Sequence, residues 1–399
     1  MRRRIHPPLA ACWRFLLGAA VVGCGSEATA PRRPTPATGF ASLAAGWDFA
    51  CGVTPAGAAY CWGDGVYGEL GTGDTLDRLT PTPVAGGVNF AAVQAGTSHS
   101  CGVTGTGVTY CWGWNELSQL GEPPTYEIRY RTSPTPVVAG VRFVAVTVGA
   151  IHTCGLTAAG AAYCWGSNGR GQLGRGIDLN IDTVGVSAVP LAVSGGLSFA
   201  TVTAGGGDHT CGLTAAGLAY CWGVNIYGEI GDGTSGTDRP GPTRVTGDLT
   251  FAVLSAGSAH TCGVTAAGDT YCWGVNFTGQ LGDGTTTHRS NPVPVAGGLK
   301  FTAVSAGPYS DHTCALTGVG AAYCWGYNNN GQLGDGTTTD HLTPGPVAGG
   351  LTFATVTVGA SYTCGVTLSG DAYCWGYNGY GRLGDGTTTD RYTPARVTP

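Results

Sequence analysis

One stretch organises this chain: Cys-Gly-Val-Thr, a short glycine-containing turn, then Tyr-Cys-Trp-Gly, complete for the first time at 51–63 and repeated in close variants six more times. Fourteen of the 16 cysteines fall into pairs: Cys51 with Cys61, Cys101 with Cys111, Cys154 with Cys164, Cys211 with Cys221, Cys262 with Cys272, Cys314 with Cys324 and Cys364 with Cys374. The two members of each pair are separated by nine residues. The first cysteine of the pair recurs after 50, 53, 57, 51, 52 and 50 residues. A period near fifty marks a propeller or another array of small units, because each unit alone buries too little apolar surface to be stable.

Within one unit the turn fixes the register. A three-residue loop, Pro55-Ala56-Gly57, suits a type I turn followed by a left-handed glycine. Val53 then faces Ala59, Gly52 faces Tyr60 and Cys51 faces Cys61. Directly opposed residues on antiparallel strands bring their Cβ atoms within disulfide reach, so each pair is predicted to form a local bridge. Zinc would want Cys-x2-4-Cys spacing and four ligands, which nothing here offers.

Residues 1–23 read as an address. Arg2, Arg3 and Arg4 precede a short apolar run from Leu9 to Val22, too short to span a bilayer as a helix. Val21-Val22-Gly23-Cys24 resembles the bacterial lipoprotein signal, which implies cleavage before Cys24 and lipidation of its thiol. Ordinary secretion is the alternative. Either route leads to the cell envelope or the exterior, where paired cysteines are oxidised, and membrane contact is expected only through that lipid. Residues 24–38, with Pro31, Pro34 and Pro36 among small and polar residues, read as an extended linker.

Residues 39–399 carry the repeats. The chain holds 71 Gly but only 11% charged residues, and losing Arg2, Arg3, Arg4 and Arg14 with the leader takes its formal net charge from −5 to −9. That argues against a nucleic-acid surface, which needs a basic stripe. Short β-branched runs divided by regular turns predict an all-β fold with four strands per repeat. Taking 81–87, 90–96, 98–104 and 108–113 as one set of four makes the opening repeat lack its first strand and leaves Thr393–Thr398 as a spare first strand at the end. The expected fold is therefore a seven-bladed propeller of four-stranded antiparallel blades, its ring closed by the C-terminal strand joining the first blade.

The unit Phe-x-x-Val-x-Ala-Gly-x-x-His-Thr-Cys, then Tyr-Cys-Trp-Gly-x-Asn-x-x-Gly-Gln-Leu-Gly, is cleanest at 251–282 and resembles the regulator of chromosome condensation repeat over residues 40–399. The resemblance implies a seven-bladed propeller. Its eukaryotic namesake is a nucleotide exchange factor for a small GTPase, and a secreted bacterial relative clamps and inhibits an enzyme. Exchange-factor-like or enzyme-inhibitory activity is thus the alternative to a binding scaffold.

Five histidines, His99, His152, His209, His260 and His312, stand two residues before the first cysteine, with Phe49 and Tyr362 in the end repeats. A position that accepts Phe and Tyr reads as a packing residue bonded to backbone, not as a catalytic or metal ring. Asp283, Asp335 and Asp385 in Gly-Asp-Gly-Thr-Thr-Thr loops read as turn residues, since a calcium loop needs spaced carboxylates. The recurrent Trp62, Trp112, Trp165, Trp222, Trp273, Trp325 and Trp375 read as blade packing. No enzyme chemistry, cofactor or metal is expected.

Scaffold positions repeat; recognition positions are free to differ. The variable loop aromatics are Tyr67, Trp114, Tyr227, Tyr327, Tyr377 and Tyr380. The most divergent loop, Pro123 to Arg131, offers Tyr126, Arg129, Tyr130 and Arg131, and Arg175 to Val189 is the longest insertion. Aromatics on loops held by a rigid frame make interface hot spots. The expected function is that of a monomeric, exported scaffold binding a protein or a glycan.

Overall fold

The computed structural model describes residues 39–399 apart from 125–128, 139, 177–184, 308 and 399. The leader, Cys24 and the linker lie outside them. Seven four-stranded antiparallel sheets follow one another along the chain. Blade 1 covers 42–83, blade 2 92–136, blade 3 145–192, blade 4 201–244, blade 5 251–294, blade 6 301–346 and blade 7 353–396. In each, the first strand is innermost and the proline-bearing fourth strand is outermost. All seven first strands line a central channel.

The hairpin register is the expected one. Cys51 opposes Cys61, Gly52 opposes Tyr60 and Val53 opposes Ala59, and Gly57 closes the turn with φ +87°. All seven disulfides are formed, each within its own hairpin and as the register predicts. Cys51 is bonded to Cys61, Cys101 to Cys111, Cys154 to Cys164, Cys211 to Cys221, Cys262 to Cys272, Cys314 to Cys324 and Cys364 to Cys374, with Cα atoms 4.0–4.1 Å apart. Bonds of this kind persist in oxidising surroundings.

The ring closes differently from the expectation. The last strand, Arg391–Arg396, pairs with Ala372–Gly376 of its own blade, and blade 1 builds its fourth strand from its own Arg78–Pro83. Among the described residues no strand is exchanged between the ends. The reason is one of phase: a proline-rich strand both follows one Trp-Gly and precedes the next Phe, so periodicity alone does not say which sheet it joins. Closure is side-by-side packing, in which Phe40, Ala50, Tyr60 and Trp62 of blade 1 form one buried cluster with Tyr362, Cys364, Cys374 and Leu383 of blade 7.

The core lies between blades. In blade 1, Cys51, Cys61 and Leu70 pack against Phe90 and Trp112 of blade 2, and the same set recurs around the ring. The seven blade tryptophans are fully buried. At about 200 Å² each and about 25 cal/mol per Å², one such side chain stabilises the joint by up to about 5 kcal/mol. Each indole also donates to the preceding blade: Trp222 Nε1 reaches the Gln172 carbonyl at 2.9 Å and Trp325 Nε1 reaches that of Gln280 at 3.0 Å. The following Leu-Gly is dictated by this contact, since a Cβ on Gly282 (φ +68°) would lie 2.7 Å from Trp325 Nε1.

Candidate functional site

Antiparallel order sends the turn after the first strand and the long loop after the third to the same face. That face therefore carries seven inner turns around the channel mouth and seven outer loops. The outer loops are built from within. Asn276 Nδ2 donates to the Thr285 carbonyl at 2.9 Å and the Thr287 carbonyl at 3.2 Å, while its Oδ1 accepts from Leu281 N at 3.0 Å. Asp283 accepts from Thr285 N at 2.9 Å and pairs with Arg289 at 2.9 Å. Asp335 and Asp385 repeat the turn bond at 2.8 and 2.9 Å. A bulge supplies the arginine: Cys272 opposes Val293 but Gly274 opposes Arg289, which swings Arg289 over the loop.

The histidines sit beneath this face. Each donates from Nε2 to a threonine hydroxyl of the next blade: His99 to Thr153 at 2.9 Å, His152 to Thr210 at 2.8 Å, His209 to Thr261 at 3.0 Å, His260 to Thr313 at 2.9 Å and His312 to Thr363 at 2.8 Å. The partner is thus a side chain, not the backbone that the sequence led us to expect. The threonine passes the bond on, as Thr153 Oγ1 donates to the Gln119 carbonyl at 2.9 Å, which also accepts Trp165 Nε1 at 3.0 Å. Burial holds four of the imidazoles down to a pKa of about 3, and His209 to about 4. They are neutral joints between blades and have no access to a substrate.

The expected aromatics that lie among the described residues reach the loop face. Tyr67 and Trp114 of neighbouring blades tilt together, ring centroids 6.3 Å apart. Tyr227 packs on Phe277 at 5.8 Å and on His288 at 5.0 Å. Tyr377 lies 4.5 Å from the Arg382 guanidinium and Tyr380 5.9 Å from it. Tyr327 accepts a bond from Asn329 at 3.1 Å. Tyr130 is exposed opposite Trp114, and Arg129 pairs with Glu116 at 3.1 Å. Arg131 instead grips Glu122 through two bonds of 2.6 and 2.7 Å, as Arg289 grips Asp283, so it builds its loop. Tyr126 and most of the Arg175–Val189 insertion lie outside the described residues.

Sequence reasoning missed three residues of this face. Phe277 is the most exposed aromatic of the group at 63%. Trp47 and Tyr309 stack on each other, centroids 4.9 Å apart, although blade 7 lies between their blades in the ring. Counting residues between the inner glycine and the histidine position would have flagged Tyr309, because blade 6 has two more there than its neighbours.

The RCC1-like domain model matches residues 22–310 and 140–399. The ultraviolet-B receptor UVR8 of Arabidopsis thaliana is 34% identical over 220 residues, 54% of this chain and 48% of that protein. The probable E3 ubiquitin-protein ligase HERC4 of Mus musculus is 33% identical over 217 residues, 53% of this chain and 20% of that protein. The chain thus spans less than half the length of either relative. Among solved structures, human WBSCR16 aligns with a TM-score of 0.77 at 23% identity, covering 86% of this chain and 95% of that one. Yeast RCC1 (Prp20), solved bound to Kap60, aligns at 0.74 and 17% identity, covering 94% and 91%. With seven concerted repeats, seven blades and a family model that covers them all, the chain belongs to the RCC1-like domain family.

Proposed function

We propose that this chain is an exported propeller, anchored by lipid at Cys24, that binds a protein partner through the aromatic loops of one face. The observation that carries the reading is the placement of Tyr67, Trp114, Tyr227, Phe277, Tyr377 and Tyr380 on loops whose polar groups are consumed internally, so that the aromatics vary while the frame does not. Preorganised aromatic anchors lose little freedom on binding, which is what hot spots require. The seven disulfides support export. A chain of like fold, yeast RCC1, is solved bound to a protein, Kap60. The test is crosslinking on intact cells with the native chain and with two paired variants, Tyr67→Ala with Trp114→Ala and Tyr227→Ala with Phe277→Ala. Loss of one protein adduct with either pair is expected. An adduct profile that neither pair changes would reject the loop face, and adducts removed by glycosidase treatment would assign a glycan instead. Labelling of Cys24 by an alkyne fatty acid, abolished by Cys24→Ser, tests the anchor.

A further inference from the structure

The outer loop of blade 5 closes on a bond unlike those of its siblings. In every blade the backbone N–H two residues after Trp-Gly donates across the loop to an acceptor at its far end. A carboxylate takes it in four blades: Gly65 N donates to Asp77 Oδ1 at 3.1 Å, Asn225 N to Asp238 Oδ1 at 3.2 Å, and Asn328 N and Asn378 N to Asp340 Oδ1 and Asp390 Oδ1 at 2.7 Å. Blades 2 and 3 use the Arg129 and Gly185 carbonyls. Blade 5 alone uses an imidazole, with Asn276 N donating to His288 Nδ1 at 3.0 Å.

The exchange changes what the contact can withstand. A carboxylate or carbonyl goes on accepting across the range in which imidazoles titrate, whereas an imidazole accepts only at an unprotonated nitrogen. The Asn276 amide is a fixed donor, so neutral His288 carries its own proton on Nε2. Protonation places N–H groups on both sides of this contact and forces the ring to turn. That ring is also the centre of the exposed aromatic cluster. Its centroid lies 4.4 Å from that of Phe277 and 5.0 Å from that of Tyr227, edge to face in both cases. Phe277 follows Asn276 directly in the chain.

The other titratable groups around this loop do not remove the Asn276 acceptor. Asp283 is held by Arg289, and Asp232 of blade 4 by Arg239. Glu229 of blade 4 accepts from Tyr227 N at 2.8 Å, and burial raises its pKa. On the blade 6 side Leu342 packs against Gly279, and His341 meets Asp335 at 3.1 Å, a contact that protonation strengthens. The rest of the loop is held without His288, since Asn276 Oδ1 accepts from Leu281 N at 3.0 Å.

We propose that His288 is an acid-released latch: its protonation frees the Asn276 N–H and turns the imidazole, so that Tyr227 and Phe277 lose the arrangement they hold at neutral pH. Attraction of the imidazolium to the two rings keeps the turned ring near them, but the amide is left without its acceptor. As a control on partner binding the latch rests on the loop-face reading. The latch itself is tested without a partner, so the two stand or fall on separate measurements.

The full chain, labelled with 15N in a deuterated background, is followed by NMR from pH 8.0 to pH 5.0. Neutral His288 is expected to carry its proton on Nε2. The Asn276 amide resonance should move as that ring titrates, and its protection, corrected for intrinsic exchange, should fall about tenfold, a difference of about 1.4 kcal/mol. The Leu281 amide should keep its protection. His288→Asp, which rebuilds the sibling arrangement, and His288→Asn, which is neutral at every pH, should both abolish the Asn276 response. Glu229→Gln and His341→Arg, each the sibling residue at its position, should preserve it. A neutral His288 protonated on Nδ1, an Asn276 amide that does not respond, an equal response in His288→Asp and His288→Asn, its loss in Glu229→Gln, or a matching loss of protection at Leu281 would overturn the proposal.

Discussion

At the scale of single residues, the repeats carry their own controls. The position ahead of Leu-Gly or Ile-Gly is Gln at 119, 172, 280 and 332 but Glu at 69 and 229. The Gln oxygen accepts a loop N–H, as from Thr278 at 3.0 Å, and Glu69 accepts from Tyr67 at 2.7 Å. Burial lifts Glu69 to a pKa of about 8, aided by the nearby Asp64 and Asp77 charges. A carboxyl raised in the folded state stabilises less as pH climbs from its unfolded value towards the folded one. Native stability should therefore fall between pH 5 and 8 by roughly 2–4 kcal/mol from this group. Glu69→Gln, measured by urea unfolding, should match the native chain at pH 5 and exceed it at pH 8. The buried histidines act in the opposite sense. Held near pKa 3 when folded, His260 contributes stability that is complete above about pH 6.5 and lost as pH falls. The deficit of His260→Phe at pH 7.5 should shrink by about 2 kcal/mol at pH 5.0, since the variant takes up one proton fewer on unfolding. The His260–Thr313 pairing was not visible in the sequence, because the two residues belong to different blades and nothing local links them. One trace was there: Ala50 lacks the threonine hydroxyl, and the residue facing it across the seam is Tyr362, whose own hydroxyl donates to the Phe49 carbonyl.

At the scale of the element, the hairpin was legible and the sheet was not. Cys51, Gly57 and Cys61 define the turn, the register and the bridge within eleven residues. Joining the third strand to the fourth depends on a long loop and a bulge between Cys61 and Gly63, and a proline-rich strand advertises no partner. The loop aromatics were legible as variation between siblings, whereas Trp47 and Tyr309 required knowing that all inner turns meet at one opening. Within one hairpin, replacing both Cys211 and Cys221 by Ala should cost about 2–3 kcal/mol, the loop-entropy value for so short a ring. Urea unfolding of the oxidised native chain and the variant measures it. A comparable loss on replacing Cys101 with Cys111, Cys154 with Cys164, or Cys314 with Cys324 would show that each bridge acts on its own blade.

At the scale of the whole molecule, the seam between blades 7 and 1 has chemistry of its own. Arg382 takes the place of the sibling glutamine, and its Nη1 meets Asp48 Oδ1 at 2.6 Å with only 3% of the side chain exposed. Burial raises the Asp48 pKa against the pull of Arg382. Elsewhere the same contact is neutral on one side, as where Gln280 Nε2 donates to Asp311 at 3.2 Å. Asp48→Ala leaves a buried guanidinium without its counter-ion and should cost about 3 kcal/mol or more. Arg382→Gln rebuilds the sibling arrangement and should cost clearly less. A double-mutant cycle by urea unfolding checks both, and hydrogen exchange should show the Asp48→Ala loss opening blades 1 and 7 first.

Because every sheet is woven from one uninterrupted length of chain, the ring has no privileged place to be cut. A gene rearrangement with breakpoints in the linkers between sheets could delete, duplicate or reorder blades without dividing a hydrogen-bonded ladder. The tailored contacts of one seam, Asp48 with Arg382 and Tyr362 with Phe49, would have to be found again.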